Sequence, residues 1–287
     1  MAYKGEATIR KRILGGRLRR IREERNISIE DVAAQLGVGH STVRRQESGH
    51  TAVSVADAGA YCRIYQVTDE RLHDELLDMA KHSRGTARGW WAPFGSKIGP
   101  TARDVADAED LATEIRTFQP LVIPGLLQTR DYTAAILKVA GSVYEEEDYP
   151  FEEFLAFRER RKALLNAPKA PRLWVIFGEA AVLTPVGGAQ VMRDQIQHLL
   201  NLGERRNINL QMLPFAAGEH VGLTGAFVLM SFADNSAPAL TYFESTNAFN
   251  DDPEDVKLNA ERFDQLRLQC QPAAETRGYL LNVLSNC

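Results

Sequence analysis

The chain has 287 residues, 44% of them hydrophobic and 25% charged, the composition of an ordinary globular protein long enough for about two domains. No apolar run approaches the ~20 residues of a membrane span, and the first twelve residues hold no apolar leader core, so a cytoplasmic protein with no membrane partner is expected. The net charge of −4 hides an asymmetry: residues 1–52 carry eleven Lys and Arg against six Asp and Glu, and the remainder 23 against 32. A basic head on an acidic body suits a nucleic-acid-binding head and excludes the body as a second polyanion binder.

Residues 1–12 are polar and basic and read as an arm. Ile13 to Arg25 has helical spacing, with Leu14, Leu18 and Ile21 on one face and arginines on the other. Ser28 is a good N-cap with Asp31 three residues on. Val32 and Leu36 then share a face, and Ala33 is small where a second helix must cross. Gly37 permits the positive φ of a sharp stop, and Val38 is expected to plug the corner. The following helix opens at Gly39 or His40, buries Val43 and turns Ser41, Thr42, Arg44 and Arg45 outward. This is a helix-turn-helix, a device for laying one helix in the DNA major groove. Ser54 caps a fourth helix with Val55, Ala58, Tyr61, Cys62 and Tyr65, and Asp69 to Lys81 forms a fifth with Leu72, Leu76, Leu77 and Met79 inward. Residues 13–82 thus read as one all-α, five-helix domain.

Residues 83–104 break the helical rhythm and form a linker, whose Trp90-Trp91 pair is expected to anchor on the next domain rather than stack on nucleic acid. In the body, residues 105–287, helical patterns cover 105–118, 130–140, 150–166, 188–203 and 253–270. Strand patterns cover 172–177, 208–213, 226–232 and 239–244, the last two flanking an Asp-Asn-Ser-Ala-Pro turn as a hairpin. This predicts an α+β domain with a small, mainly antiparallel sheet. Cys62, Cys270 and Cys287 are odd in number and widely spaced, which predicts reduced thiols, no metal and no cofactor.

Residues 14–65, through the helix-turn-helix run and Arg45-Gln46-Glu47-Ser48-Gly49, resemble the lambda-repressor-like or Xre-type helix-turn-helix family. That family usually carries an aliphatic residue where Gln46 stands, so a looser third helix is expected here. The body is similar to the partner domain of actinobacterial WhiJ-like regulators. The match runs through Trp90-Trp91, Pro120 to Thr129 with Tyr132, Arg158 to Arg161, Glu179 to Leu183 with Pro185 to Gly188, Met212 to Phe215, Gly218-Glu219-His220 and Tyr242-Phe243-Glu244. The resemblance implies a transcriptional regulator paired, in antitoxin-like fashion, with a small acidic partner protein that modulates DNA binding. It also implies that Arg22 pairs with Glu47 as scaffold.

For the head, the residue chemistry assigns base-edge contacts to His40, Ser41, Arg44 and Arg45. Phosphate contacts fall to Ser28, Thr42, Arg17 and Arg20, against helix packing for Thr42 and a solvated basic face for the arginines together with Arg19. One such helix reads only a few base pairs, so a homodimer on double-stranded DNA with two half-sites is expected. In the body, Pro124, Gly125, Leu126, Leu127, Gln128 and His220 are the candidate partner or ligand surface, set against a plain structural turn. A metabolite-sensing body is the alternative to protein pairing, hinted by the apolar, glycine-punctuated stretches 120–129 and 213–225. Glu145 to Asp148 reads as a solvated acidic run, with an inhibitory DNA mimic as its sharper alternative. Arg158, Arg160, Arg161 and Lys162 read as the polar side of a helix whose other side holds Phe154, Phe157 and Leu164. Glu244 lacks a catalytic partner in the sequence. No nucleophile–base order, phosphate loop or metalloprotease motif stands out, so no enzyme is expected, with an enzyme carrying a DNA-binding head the weakest reading.

Overall fold

The computed structural model describes residues 9–83, 90–142, 149–233 and 239–286. Five helices build the head: α1 Ile9–Glu24, α2 Ile29–Leu36, α3 His40–Glu47, α4 Val55–Ile64 and α5 Glu70–Ser83. Their core is Leu14, Leu18, Val32, Val43, Tyr61, Tyr65 and Leu76, each fully enclosed. Local chemistry sets the ends. The Ser28 hydroxyl accepts from the Asp31 N–H at 3.0 Å, and Ser54 and Asp57 form a reciprocal capping box. Gly37 stops α2 at φ 68°. Val38, expected to fill the corner, is instead 39% exposed. Its amide donates to the Ala33 carbonyl at 3.0 Å, so backbone bonds close the corner and the side chain faces out.

The arm ends sooner than residue 12. α1 begins at Ile9, and Ile9 and Ile13 are buried in the core of the body while Leu14 and Leu18 lie in that of the head. One helix therefore belongs to both halves. Gly15 makes this crossing possible, because a Cβ there would sit 2.4 Å from the Gln46 carbonyl oxygen and 2.6 Å from that of Glu47.

The body follows with a 3-10 segment Ala92–Lys97, α6 Pro100–Leu111, β1 Ala112–Gln119, α7 Arg130–Gly141, α8 Phe151–Arg161, β2 Arg172–Gly178, α9 Ala180–Leu183, α10 Ala189–Leu202 and β3 Ile208–Leu213. Then come β4 Phe227–Phe232, β5 Leu240–Phe243, β6 Ala248–Asn250, α11 Pro253–Gln269 and α12 Ala273–Asn286. Among the described residues the sheet has six strands in the order β3-β2-β1-β4-β5-β6. β1, β2 and β3 run parallel; β4, β5 and β6 are antiparallel to their neighbours. It is a mixed sheet, neither small nor mainly antiparallel. The expected 105–118 helix divides at Leu111: Thr113, Ile115 and Thr117 alternate with polar residues and form the central strand. The β4–β5 pairing joins the two expected hairpin strands, with the turn 234–238 outside the described residues.

Helices cover both faces of the sheet. α6, α7, α10, α12 and the start of α1 bury one face over Ile115, Val175, Phe177, Leu210 and Met230. α11 buries the other, its Phe263 and Leu266 packed over Phe118, Ile176 and Phe227. A sheet buried on both faces has nearly continuous apolar strands, as Leu173-Trp174-Val175-Ile176-Phe177 illustrates.

Trp90 and Trp91 face inward. Trp90 stacks on Phe157 with centroids 5.1 Å apart, and Trp91 Nε1 donates to Asp107 Oδ1 at 3.0 Å. The same Asp107 oxygen takes the Arg10 guanidinium at 2.7 Å. Arg12 of α1 is ion-paired with Asp251, and the Ile9 N–H donates to Asp104 at 3.4 Å. The seam between head and body is a set of charged bonds along the first turn of α1.

Candidate functional site

α3 turns one face out and one in. His40, Ser41, Arg44 and Arg45 are exposed, while Val43, Gln46 and Glu47 are buried. The inner face is fixed from two helices, α1 and α4. Arg22 of α1 grips Glu47 with two hydrogen bonds, Nε to Oε1 at 2.7 Å and Nη2 to Oε2 at 2.9 Å, and its Nη1 donates to the Ile27 carbonyl at 3.2 Å. These bonds hold the Arg22 guanidinium above its ordinary pKa against the opposing cost of burial. Tyr65, the C-cap of α4, donates to the same carboxylate at 3.4 Å. Tyr61 donates to Gln46 Oε1 at 2.7 Å, so the residue expected to loosen α3 is a buried hydrogen-bonded contact.

The basic residues of α1 sort by helical phase. Arg19 and Arg22 fall on the side of α3, and Arg19, Arg44 and Ser48 line one shallow groove. Arg17 and Arg20 fall on the side of α5. Arg17 is 9% exposed, bonded to Glu75 at 3.2 Å and to the Met79 sulfur at 3.3 Å, so it is a packing residue and not a phosphate contact. Arg20 pairs with Glu24 at 2.6 Å beside Asp69 and Glu75, also away from α3. Arg19, its side chain 63% exposed, is the arginine that phase places beside the reading face. Ser28 commits its hydroxyl to Asp31 at 2.7 Å, and Glu30 and Asp31 put two carboxylates at that helix start, which opposes a phosphate. Thr42 is half-buried on the flank of α3. Arg45 donates to Thr51 at 3.2 Å, which holds it near the helix end. The sequence reading grouped Arg19 with Arg17 and Arg20, although counting 100° per residue from Arg22 separates it from them, and it missed the exposure of Val38, whose outward aim depends on the turn geometry.

The body holds a cavity of about 1180 Å³. α6 supplies Ala102, Val105 and Glu109; α7 supplies Ile136, Leu137 and Ala140; α8 supplies Phe154, Phe157, Arg158 and Arg161. Gln119, Tyr242 and Glu244 form its floor at the sheet. Glu109 is 3% exposed and binds Arg161 twice, at 2.6 and 2.9 Å. Burial pushes the Glu109 carboxyl up in pKa, and Arg161 opposes that shift. Gln119 Nε2 donates to Glu244 at 2.6 Å, and Lys97 pairs with Glu153 at the rim. The cations of α8 and its C-cap therefore do not form a solvated face: Arg158 and Arg161 line the cavity, Lys162 at the C-cap donates to the Gln128 carbonyl at 2.8 Å, and of the four Arg160 alone is exposed.

The candidate surface 124–128 divides. Gly125 and Gln128 line the cavity; Pro124, Leu126 and Leu127 are buried, and Gln128 is tied to the Ile123 carbonyl at 2.7 Å and to Thr133 at 3.1 Å. His220 lies on the other face of the sheet, 5.9 Å from the Phe118 ring, where it accepts from the Gly222 N–H at 3.1 Å. The structure does not bring it to the 124–128 turn. The acidic run 145–148 lies outside the described residues. Cys62 and Cys270 are unbonded, and among the described residues no cluster of ligating side chains could hold a metal.

A small α-helical head whose third helix is bare outside and clamped inside defines a DNA-binding helix-turn-helix protein, and a family described as a helix-turn-helix domain matches residues 13–76. Residues 102–282, more than half of the chain, match the family described as a domain of unknown function (DUF5753), and the chain belongs to it. No curated protein and no solved structure matches the chain significantly. No helix among the described residues is long and apolar enough to cross a membrane.

Proposed function

We propose that this protein is a sequence-specific transcriptional regulator that reads double-stranded DNA with α3 and receives a signal through its body. The observation that carries the reading is the exposure of His40, Ser41, Arg44 and Arg45 on a helix whose opposite side is locked by Arg22, Tyr61 and Tyr65. Arginine pairs bidentately with guanine O6 and N7, and serine and histidine accept or donate as the base requires. Val38 adds an apolar contact suited to a thymine methyl group, and Arg19 a phosphate contact. Binding as a homodimer over two half-sites would give the site length that one helix lacks. The body acts as receiver rather than catalyst, in a cytoplasmic protein. Its resemblance to WhiJ-like regulators supports a small acidic partner protein as the signal. The cavity supports a second reading, a small-molecule effector, since its apolar walls carry a few converging polar groups and its volume exceeds the ~300–1,000 Å³ of ordinary ligand sites.

The test is fluorescence anisotropy with the DNA upstream of the chain's own operon. Arg44→Ala combined with Arg45→Ala should weaken binding at least tenfold, and wild-type affinity should fall steeply with salt. Unchanged binding by the double variant would overturn the reading.

A further inference from the structure

The cavity of the body has an uneven charge arrangement. Glu109 and Arg161 satisfy one another with two short bonds, and Lys97 and Glu153 close a pair at the rim. Arg158 is different. It lines the cavity beside Phe154 and Phe157, and among the described residues it makes no hydrogen bond or ion pair. Its attractions are electrostatic, to Tyr149 and Glu244, and burial together with the Arg161 charge lowers its pKa. Glu244, on the floor, accepts the Gln119 amide through Oε1, which leaves Oε2 for a further donor. The walls between these two groups are apolar: Val105, Ile136, Leu137, Phe154 and Phe157. A half-buried guanidinium with no bonded counter-ion among the described residues is costly, and it is the group that a bound carboxylate would satisfy bidentately.

We propose that this cavity binds a small amphiphilic carboxylate, with its carboxylate on Arg158, a hydrogen-bond-donating group at Glu244 and an apolar body against the α7 and α8 wall. The proposal rests on the small-molecule reading above and names its chemistry. An N-acylated amino acid with an apolar side chain has all three parts. The site is also wired to the head. Helix α6 presents Ala102, Val105 and Glu109 to the cavity, and from its other side Asp104 and Asp107 bind the first turn of α1. α1 in turn crosses the end of α3 at Gly15. A ligand that shifts α6 therefore acts on the helix that carries the reading head.

The full chain is titrated with N-benzoyl-L-phenylalanine, with its neutral primary amide and with 4-phenylbutyrate, which has the carboxylate but no donor. Thermal melting and DNA anisotropy are read in the same samples. Saturating N-benzoyl-L-phenylalanine should raise Tm by about 3–5 °C, 4-phenylbutyrate less, and the amide not at all. Arg158→Gln should abolish the shift. Ala140→Trp, a substitution at an exposed cavity-lining position of α7, should do the same by blocking entry if Arg158→Gln proves unstable. No shift with either carboxylate, an equal shift with the amide, or a shift that survives both variants would overturn the site. A carboxylate-dependent shift with unchanged DNA affinity would uphold the site and overturn its role as the receiver of the regulatory signal.

Discussion

Arg44 and Arg45 on α3 and Arg158 and Arg161 on α8 are the same side chain in two settings. The α3 pair stands in solvent with no carboxylate bonded to it among the described residues. The α8 pair is enclosed, with Arg161 tied to the buried Glu109 and Arg158 facing an apolar wall. An exposed guanidinium keeps its hydration and costs the fold little, so it is free to exchange water for phosphate or base. An enclosed one has lost part of that hydration and gains from a counter-charge, from the protein or from a ligand. Residue type therefore identifies neither role; the surroundings do.

Arg22 sharpens the contrast, because it sits in the DNA-binding half yet behaves like the enclosed set. Glu47→Ala removes its partner and leaves a buried guanidinium with only the Ile27 carbonyl and the more exposed Glu23. The expected cost is about 3–5 kcal/mol, seen as an early melting transition of the head by circular dichroism, with DNA binding lost alongside. If Glu47→Ala melts like the wild type, the clamp on α3 has been misread.

A smaller effect is expected at the seam between the halves. Burial raises the Asp104 carboxyl from 3.8 to about 6, opposed by the Ile9 amide, by Arg103 and by Arg12, and assisted by Asp107. Its folded pKa lies above its unfolded one. Between about pH 4 and 6 the folded chain binds more protons, and stability falls as pH rises through that window. The loss is at most about 2 kcal/mol, allowing for partial solvent screening. Asp104→Asn should flatten this part of the stability–pH curve measured by urea unfolding, and a slope identical to wild type would remove Asp104 from the seam.

The head was largely legible in the sequence because its signals are local. Caps at Ser28 and Ser54, the stop at Gly37 and the spacing of Leu14, Leu18, Val32 and Val43 each act within a turn or two. What escaped there depends on phase and on a turn: Arg17 and Arg19 are two residues apart and face different helices, and Val38 points outward because the backbone itself closes the corner. The body was less legible because its decisive contacts are distant in sequence. β1 was hidden at the end of an alanine-rich helical run, and its status as the central strand depends on pairing with β2 and β4, 50 residues or more away. Nothing local marks Arg158 as an inward residue on a helix with charges all around it. The Gln119–Glu244 bond joins residues 125 positions apart, beyond any periodicity. The α1 helix fell between the two cases, since a polar start read as an arm while Ile9 is buried in the other half.

In this protein α3 carries DNA specificity on side chains the fold does not need. Arg44→Ala tests it most directly, with melting and binding measured on one preparation. Melting should stay within about 0.5 kcal/mol of wild type, while affinity for a site selected by the wild-type protein falls by about 10- to 100-fold and the preference over scrambled DNA collapses. A variant that keeps its preference for the selected site, or that loses stability in step with binding, would show that specificity does not reside on Arg44.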